Sequence, residues 1–566
     1  MTTAAPAQPS AKRSPPSGSG RHAALVATGI FLSRIAGLVR QRVFAHYLGS
    51  GAVAGVFNAA LRIPNLLQNL LGEGVLSSSF IPVYANLLAR GEEEEADRVA
   101  GAAAGLLAAV TAVVVALGMF ATPVVVRLIT PGLGGEDHAL AIRLVRILFP
   151  ALGTLVLSAW CLGVLNSHRR FFLSYAAPVV LNGVVVVALV AAGWATRGES
   201  DGLAREARIA GWAAWGYLAG AAAQLLVQLP TTVRLLGQHF RPSLDTARAA
   251  IRTVLYNFLP ALIGRGVVQL SAFVDLVYAS YVGTRGLAAL GYQQTLYLLP
   301  ISLFGMAISA SELPAMSAAV GSAEAVAAEL RARLEGGLRR LAFFVVPSAA
   351  AFLVLGDVVA GALFQTGQQR AADTRYLWIV LTGSTIGLLP ATMGRLYSSA
   401  FYALKDTRTP LRFAILRLAL NAALAWFSAV RLPGLLGVPQ ELGLLGITAS
   451  SGVAAWLEYA LLRRALERRL GRTGLRDRTL ARLWLCAVVA GAAALAVKVA
   501  LAAWRGPMPG VAAQWGGEFL PPPELHPALA AIPILGVYGV VYLALALGTA
   551  PGGARAALAR VRRRMG

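Results

Sequence analysis

Fourteen separate stretches of this chain stay apolar for about 20 residues or more, a pattern that no water-soluble fold accommodates. They fall near residues 23–47, 52–87, 99–129, 139–165, 171–195, 209–236, 248–283, 287–318, 338–365, 374–403, 409–430, 442–465, 480–504 and 528–549. A hydrocarbon core about 30 Å thick takes roughly 20 helical residues per crossing. Backbone N–H and C=O groups find no water there, so each stretch must close its own hydrogen bonds as a helix. Composition agrees: 57% of the 566 residues are hydrophobic and only 13% are charged. The expected fold is an all-α integral membrane protein of about fourteen transmembrane helices.

A net charge of +24 would suit nucleic acid, but its distribution points to lipid headgroups. The arginines sit mainly in short connections between apolar runs and in the tail Arg560, Arg562, Arg563 and Arg564. An even number of crossings puts both termini on one side. With that side cytoplasmic, the inner loops hold Arg169, Arg170, the run Arg234 to Arg252, Arg331 to Arg340, Lys405 to Arg412 and Arg463 to Arg482. The outer loops hold Arg197, Arg205, Arg208, Arg285, Arg370, Arg375, Arg431, Arg505 and little else. The count is roughly 30 against about 10, so both termini are expected in the cytoplasm of a multi-pass inner-membrane protein. The loop at 196–208 is the exception. Residues 1–22, rich in Pro, Ser, Ala and Gly, read as a disordered cytoplasmic tail, and 551–566 as a basic one. Cys161 and Cys486 lie in apolar stretches and make no disulfide framework.

An internal repeat divides the chain. Ser77, Ser79, Pro82 and Gly91 recur as Ser309, Ser311, Pro314 and Gly321, within about a residue. The run LNSHRRFFLSYAAPVVLN ending at Asn182 is echoed by LKDTRTPLRFAILRLALN ending at Asn421. Both offsets are close to 235 residues, which spans six helices, so the halves share one orientation and are related by an axis along the membrane normal. The expected organisation is a first lobe at 23–240, a second at 248–470, and two appended helices within 471–550. Two pseudo-symmetric lobes around a cavity are a transporter architecture.

Charges inside the apolar stretches mark where that cavity would be wet. Arg34 lies about eleven residues into the first helix, and Arg62 about ten residues from the outer end of the second, so both are near mid-membrane depth. Guanidinium forks suit phosphate oxygens, and Arg34, Arg62 and Arg40 are the candidate substrate-binding residues. On a regular helix Arg34, Arg40 and Arg42 diverge, so all three share a cavity only if Gly37 breaks the geometry. Arg42 reads as structural. Glu73, between Gly72 and Gly74, reads as a gate or charge partner, or as a helix-end carboxylate. Asn65, Gln68 and Asn69 read as interhelical hydrogen-bonding groups. In the second half Arg265, Asp275, Glu312, Asp357, Arg395, Arg417 and Glu458 are also intramembrane. Asp275, with Asn421, is a candidate cation or proton site; a salt bridge from Asp275 to Arg265 or Arg417 is the alternative. Neither a phosphate-binding loop, a zinc-protease helix motif nor a nucleophile elbow is present, and the six histidines show no metal spacing. No catalytic residue and no cofactor is expected, apart from Na⁺ or H⁺ as a coupling ion.

The stretch SRIAGLVRQRVFAHYLGSGAVAGVFNAALRIPNLLQNLLGEGVLSSSFIPVYANLLARGE, Ser33 to Glu92, resembles the signature of the MurJ (MviN) family within the multidrug/oligosaccharidyl-lipid/polysaccharide exporter superfamily. The run from Leu363 to Pro410 is similar to that family's helices 9 to 11. The resemblance implies a monomeric flippase that carries lipid-linked peptidoglycan precursor to the outer leaflet for cell-wall biosynthesis. It maps the family's cavity arginines onto Arg34, Arg40 and Arg62, its helix-2 acid onto Glu73, and a groove for the polyprenyl tail onto the last two helices. Four positions depart from the pattern: Gln41 and Gly55 stand where acids are common, and Gln68 and Thr295 where arginines are. By this reading a cavity arginine from the second lobe is missing. An exporter of another lipid-linked oligosaccharide would share the fold. A polyprenyl-phosphate glycosyltransferase would need an acidic pair on the first outer loop, and His46 to Val53 contains none.

Overall fold

The computed structural model describes residues 19–200, 202–317, 322–475, 477–503 and 526–549. Each apolar stretch is helical, and no strand occurs among the described residues. In order the helices are α1 (Ser19–Leu48), α2 (Ala52–Leu71), α3 (Glu73–Ala89), α4 (Glu93–Ile129), α5 (Gly135–Ser167), α6 (Phe171–Ala195) and α7 (Leu203–Leu235). There follow α8 (Ala249–Val282), α9 (Thr284–Pro300), α10 (Ala307–Ser317), α11 (Ala323–Phe364), α12 (Ala371–Thr385), α13 (Leu388–Ala403) and α14 (Arg408–Trp426). The last are α15 (Leu432–Leu436), α16 (Gly443–Leu470), α17 (Asp477–Ala503) and α18 (Pro527–Gly548). Among the described residues ten spans are long and apolar enough to cross a membrane. The segments of α1, α2–α3, α7 and α8 fall short of that measure; α1 carries four arginines and α2–α3 is interrupted. The two tails read from sequence lie almost wholly outside the described residues.

Four stretches expected as single helices are interrupted. The second breaks at Gly72, whose φ of −91° and ψ of −141° leave the helix while its N–H still bonds Gln68 O at 2.7 Å. A Cβ there would sit 2.5 Å from that carbonyl, so only glycine makes this bend. The eighth passes through a π-helical stretch, Ile301–Met306, directly after Pro300, whose missing N–H breaks the regular ladder. The tenth divides between Thr385 and Leu388, and the eleventh ends in a second π stretch, Phe427–Arg431.

Two turns at matching positions of the sequence repeat share a local geometry. Arg169 and Lys405 both adopt φ of 60° just past a helix end, and the next N–H in each turn reaches back to Leu165 O or Phe401 O. The second turn is longer and is fixed by Asp406, which accepts from the N–H groups of Arg408 and Thr409 at 3.0 Å, the Thr409 hydroxyl at 2.7 Å and Arg469 at 2.7 Å. Those bonds, the Thr409 N–H first, hold the Asp406 carboxyl down at about 2.

Helices α1 to α7 pack mainly on one another, and so do α8 to α16. Helices α17 and α18 pair and lean on α11. Their attachment is specific. Lys498 of α17 forms a buried ion pair with Asp357 of α11. Pro347 of α11 has no N–H, so the carbonyl four residues back, Phe343 O, loses its helical donor; the Tyr542 hydroxyl donates to it at 2.7 Å. One turn along α18, Tyr538 donates to Pro347 O at 2.7 Å. Below the kink at Leu355, Trp378 Nε1 serves the carbonyls of Phe352 and Leu353 at 3.1 and 3.2 Å. Asp357 stood out in the sequence as an intramembrane carboxylate; its partner Lys498 did not.

Candidate functional site

One end of the interface between the two halves is sealed by the α1–α2 and α11–α12 turns. Gly49 and Gly367 both have positive φ, 56° and 54°, and the two turns touch backbone to backbone. A Cβ on Gly49 would lie 2.6 Å from Gln368 O, and one on Gly367 2.2 Å from His46 O. Around that contact Gln368 N donates to His46 O at 2.9 Å, the Ser50 hydroxyl to Gln369 Oε1 at 2.8 Å, and the Tyr292 hydroxyl to Gly49 O at 2.6 Å. Arg42 donates to Ala362 O at 2.7 Å and Leu363 O at 2.9 Å, which satisfies the carbonyls at the end of α11. Its structural reading holds. Gly55 belongs to the same surface: a Cβ would fall 2.0 Å from Thr284 O, so a side chain at this position cannot be carried in this arrangement.

Beneath the seal lies a cavity of about 90 Å³, lined by Arg62, Asp275, Gln294, Tyr297, Ser384 and Thr448 among others. Arg62 crosses from α2 to α9, donating to Gln294 Oε1 at 2.6 Å and Leu290 O at 3.3 Å. Asp275 accepts from Asn421 Nδ2 at 2.9 Å and lies in Coulombic range of Arg62 and Arg417. Asn421 is fully buried, and its Oδ1 has no hydrogen-bond partner. Arg417 forms its ion pair with Glu458 at 3.0 Å, not with Asp275. The Arg265 side chain lies outside the described residues, as does that of Glu73.

The three arginines of α1 do not converge. Helix α1 runs through Gly37 without a break, so the divergence expected of a regular helix is what occurs. Arg42 turns to the seal. Arg40 packs within the first half, in Coulombic range of Tyr217, whose hydroxyl donates to Asn65 Oδ1 at 3.1 Å; Arg40 Nε is buried with no hydrogen-bond partner. Arg34 is exposed, flanked by exposed Ile30, Phe31 and Ile35, and is not among the residues lining the Arg62 cavity.

In the second half, Thr295 spends its hydroxyl on Gly291 O of its own helix at 3.2 Å. Arg62 lines the cavity, and neither Arg395 of α13 nor Arg417 of α14 is among its lining residues. Glu312 pairs with Arg340 of α11 instead. Among the described residues no group of three or more His, Cys, Asp and Glu side chains is placed to hold a metal.

Known proteins match this arrangement throughout its length. The solved structure "Lipid II flippase MurJ, inward closed conformation" superposes with a TM-score of 0.70, covering 92% of this chain and 98% of that one at 20% identity. An inward-facing multidrug resistance MATE family transporter of the MOP superfamily superposes at 0.61, covering 79% and 98% at 19% identity. By sequence, the lipid II flippase MurJ of Burkholderia cenocepacia is 30% identical over 446 residues, 77% of this chain and 82% of that protein. A probable lipid II flippase MurJ of Vibrio cholerae is 29% identical over 458 residues, 78% and 82%. The family model described as lipid II flippase MurJ matches residues 44–506, which takes in the seal, the cavity and α17 together. On that extent of match, the chain belongs to the lipid II flippase MurJ family.

Proposed function

We propose that this protein carries lipid II, the lipid-linked peptidoglycan precursor, from the inner to the outer leaflet of the cytoplasmic membrane by alternating access. The observation that carries the reading is Arg62, a cavity cation that binds across the interface of the two halves while the α1–α2 and α11–α12 turns close one end. An anion that takes over the fork of Arg62 removes its bond to Gln294 and so loosens one half from the other. Segments 23–240 and 248–470 act as the two moving lobes, working as a monomer among membrane lipids. The loop charges place both termini in the cytoplasm, which puts the seal on the outside.

Arg62→Ala in reconstituted vesicles should slow flipping of fluorescent lipid II by about 10- to 100-fold, the range for losing a charge-assisted hydrogen bond. Arg62→Lys keeps the charge but not the planar fork and should lie nearer Ala than the parent. Parental rates in both variants, at equal insertion, would sink the proposal. Arg34 and Arg40 are read as further substrate contacts, at the exposed face and the first-lobe interior, with Glu73 as a charge partner. Thr295 in place of an arginine favours a second reading, export of another lipid-linked oligosaccharide. Competition against fluorescent lipid II in the same vesicles separates the two.

Asp275 and Asn421 hold a sodium ion or proton that biases the second lobe. The support is a carboxylate bonded by the Asn421 amide nitrogen, whose neighbouring amide oxygen is buried and unpartnered. Asp275→Asn should flatten the dependence of flipping on sodium or on pH. If the parent protein shows neither dependence, no coupling role remains for the pair.

A further inference from the structure

Residues 237–248 join the two halves, and this connection is built into the first half rather than strung between them. Helix α8 ends at Val282 beside Thr284 of the seal, so its start at Ala249 lies at the opposite end. Helices α2 and α3 lead away from the seal, so α4 starts at that end too. There the connection lies along α4. Gly101 and Gly105 stand one turn apart on one face, and a Cβ on either would fall 2.2 Å from a carbonyl oxygen, that of Arg241 or of Ser243. Four helical residues rise about 6 Å and two extended residues about 6 to 7 Å, so the two backbones keep step. Pro242, between the two carbonyls, disfavours a helical turn at Arg241. The Ser243 N–H donates to Gly101 O at 3.3 Å, the Gly237 N–H to Asp97 Oδ1 at 3.0 Å, and Phe240 stacks on Trp160 of α5 with ring centroids 5.9 Å apart. At its far end Arg248, the residue before α8, donates to Glu95 of α4 at 2.7 Å and to Asp245 at 3.1 Å. Helix α8 then goes on to pack against α14 and α16 of the second half. A tether that only had to follow a moving lobe would gain nothing from being ordered this closely on the other one.

We propose that residues 237–248 are a strap that stays docked on the first lobe through the whole transport cycle, with Arg248 as the positioning residue that pins the start of α8 to α4. The lobes turn about this pinned corner, and the second lobe begins within α8, not at the linker. Without the pin the start of α8 slides against α4 and part of each stroke is lost, so the rate suffers while substrate binding does not. The inference rests on the proposed flippase function and adds to it the fixed point of the motion.

The test uses the full chain in vesicles, with flipping of fluorescent lipid II measured against its concentration. Arg248→Cys with Glu95→Cys removes the pin and should lower the maximal rate by about three- to tenfold, with the half-saturating concentration within about twofold of the parent. A bifunctional methanethiosulfonate reagent long enough to replace the two lost side chains should then restore the rate, and reductant should abolish the gain. Either single cysteine variant gives the reagent no second anchor at this corner and should not recover. A merely structural role would leave the rate where the substitutions put it, because the link is added after folding. If the link instead stops flipping, the strap leaves α4 in each cycle and the proposal is wrong. It is equally overturned if the unlinked double variant flips like the parent, or if linking changes nothing. Gly105→Ala tests the docking without touching a charge. Amide exchange over 237–248, read by mass spectrometry on the detergent-purified protein, should speed up by about tenfold in this variant. Unchanged exchange would show that the strap does not depend on this groove. A parent protein that flips no lipid II would remove the function on which the inference rests, while the exchange measurement still reads the docking.

Discussion

Lys498→Ala should destabilise the protein by about 3–5 kcal/mol, the usual cost of leaving one charge of a buried ion pair without its partner. Lys498 and Asp357 are both buried, where α17 meets α11, and the second oxygen of Asp357 has no other hydrogen-bond partner. Removing the ammonium leaves that carboxylate buried without its partner. Replacing both partners, as in Asp357→Leu with Lys498→Met, removes the stranded charge and should recover most of the loss. Thermal unfolding in detergent, followed as a double-mutant cycle, reads this directly. Additive losses in the two single variants and the double would show that the pair is not coupled. The consequence for mechanism is that α17 and α18 travel with the second half, because the Tyr538 and Tyr542 hydroxyls hold the same kinked helix a few turns away.

The other large effect is expected at the seal. In a Ser50→Cys, Gln369→Cys protein, a membrane-impermeant bifunctional methanethiosulfonate reagent added from outside should stop flipping, and reductant should restore it. The parent side chains already hydrogen-bond at 2.8 Å, so a short linker joins the halves without distortion. A transporter held in one state cannot exchange between leaflets, however well it binds. The native thiols Cys161 and Cys486 lie on α5 and α17 rather than on the two turns that form the seal. Undiminished flipping by the cross-linked protein would show that this end need not open. Reaction only from the cytoplasmic side would reverse the orientation derived from the loop charges.

Helix identity was legible along the chain because lipid removes every alternative: a backbone without water must bond to itself, and twenty apolar residues have one way to do so. The likeness of the turns at Arg169 and Lys405 was legible because both solve one local problem with similar residues, and local problems are written in adjacent letters. The divergence of Arg34, Arg40 and Arg42 followed from helical period alone and held once α1 proved regular through Gly37. The breaks at Gly72 and after Pro300 were foreshadowed by residue type, although glycines and prolines elsewhere in the bundle leave their helices intact.

Partnership across the bundle was not legible. Arg62 was picked out as a costly charge, but its ligand Gln294 lies 232 residues away, and no spacing rule connects them. Asp275 was read either with Asn421 as a cation site or in a salt bridge to Arg265 or Arg417; packing bonded it to Asn421 and sent Arg417 to Glu458. Asp357 was visible as a buried carboxylate, while Lys498 passed unnoticed in α17 because a single lysine in an apolar run also suits a side chain reaching for the interface. Nothing adjacent in the sequence marks Gly49, Gly55 and Gly367 as the places where two backbones need the volume of an absent side chain. Intramembrane charge, helical period and segment length are properties of neighbours in the chain, and the sequence states them outright. Which charge meets which, and where one half closes on the other, depends on helices hundreds of residues apart arriving side by side, and that is set by packing.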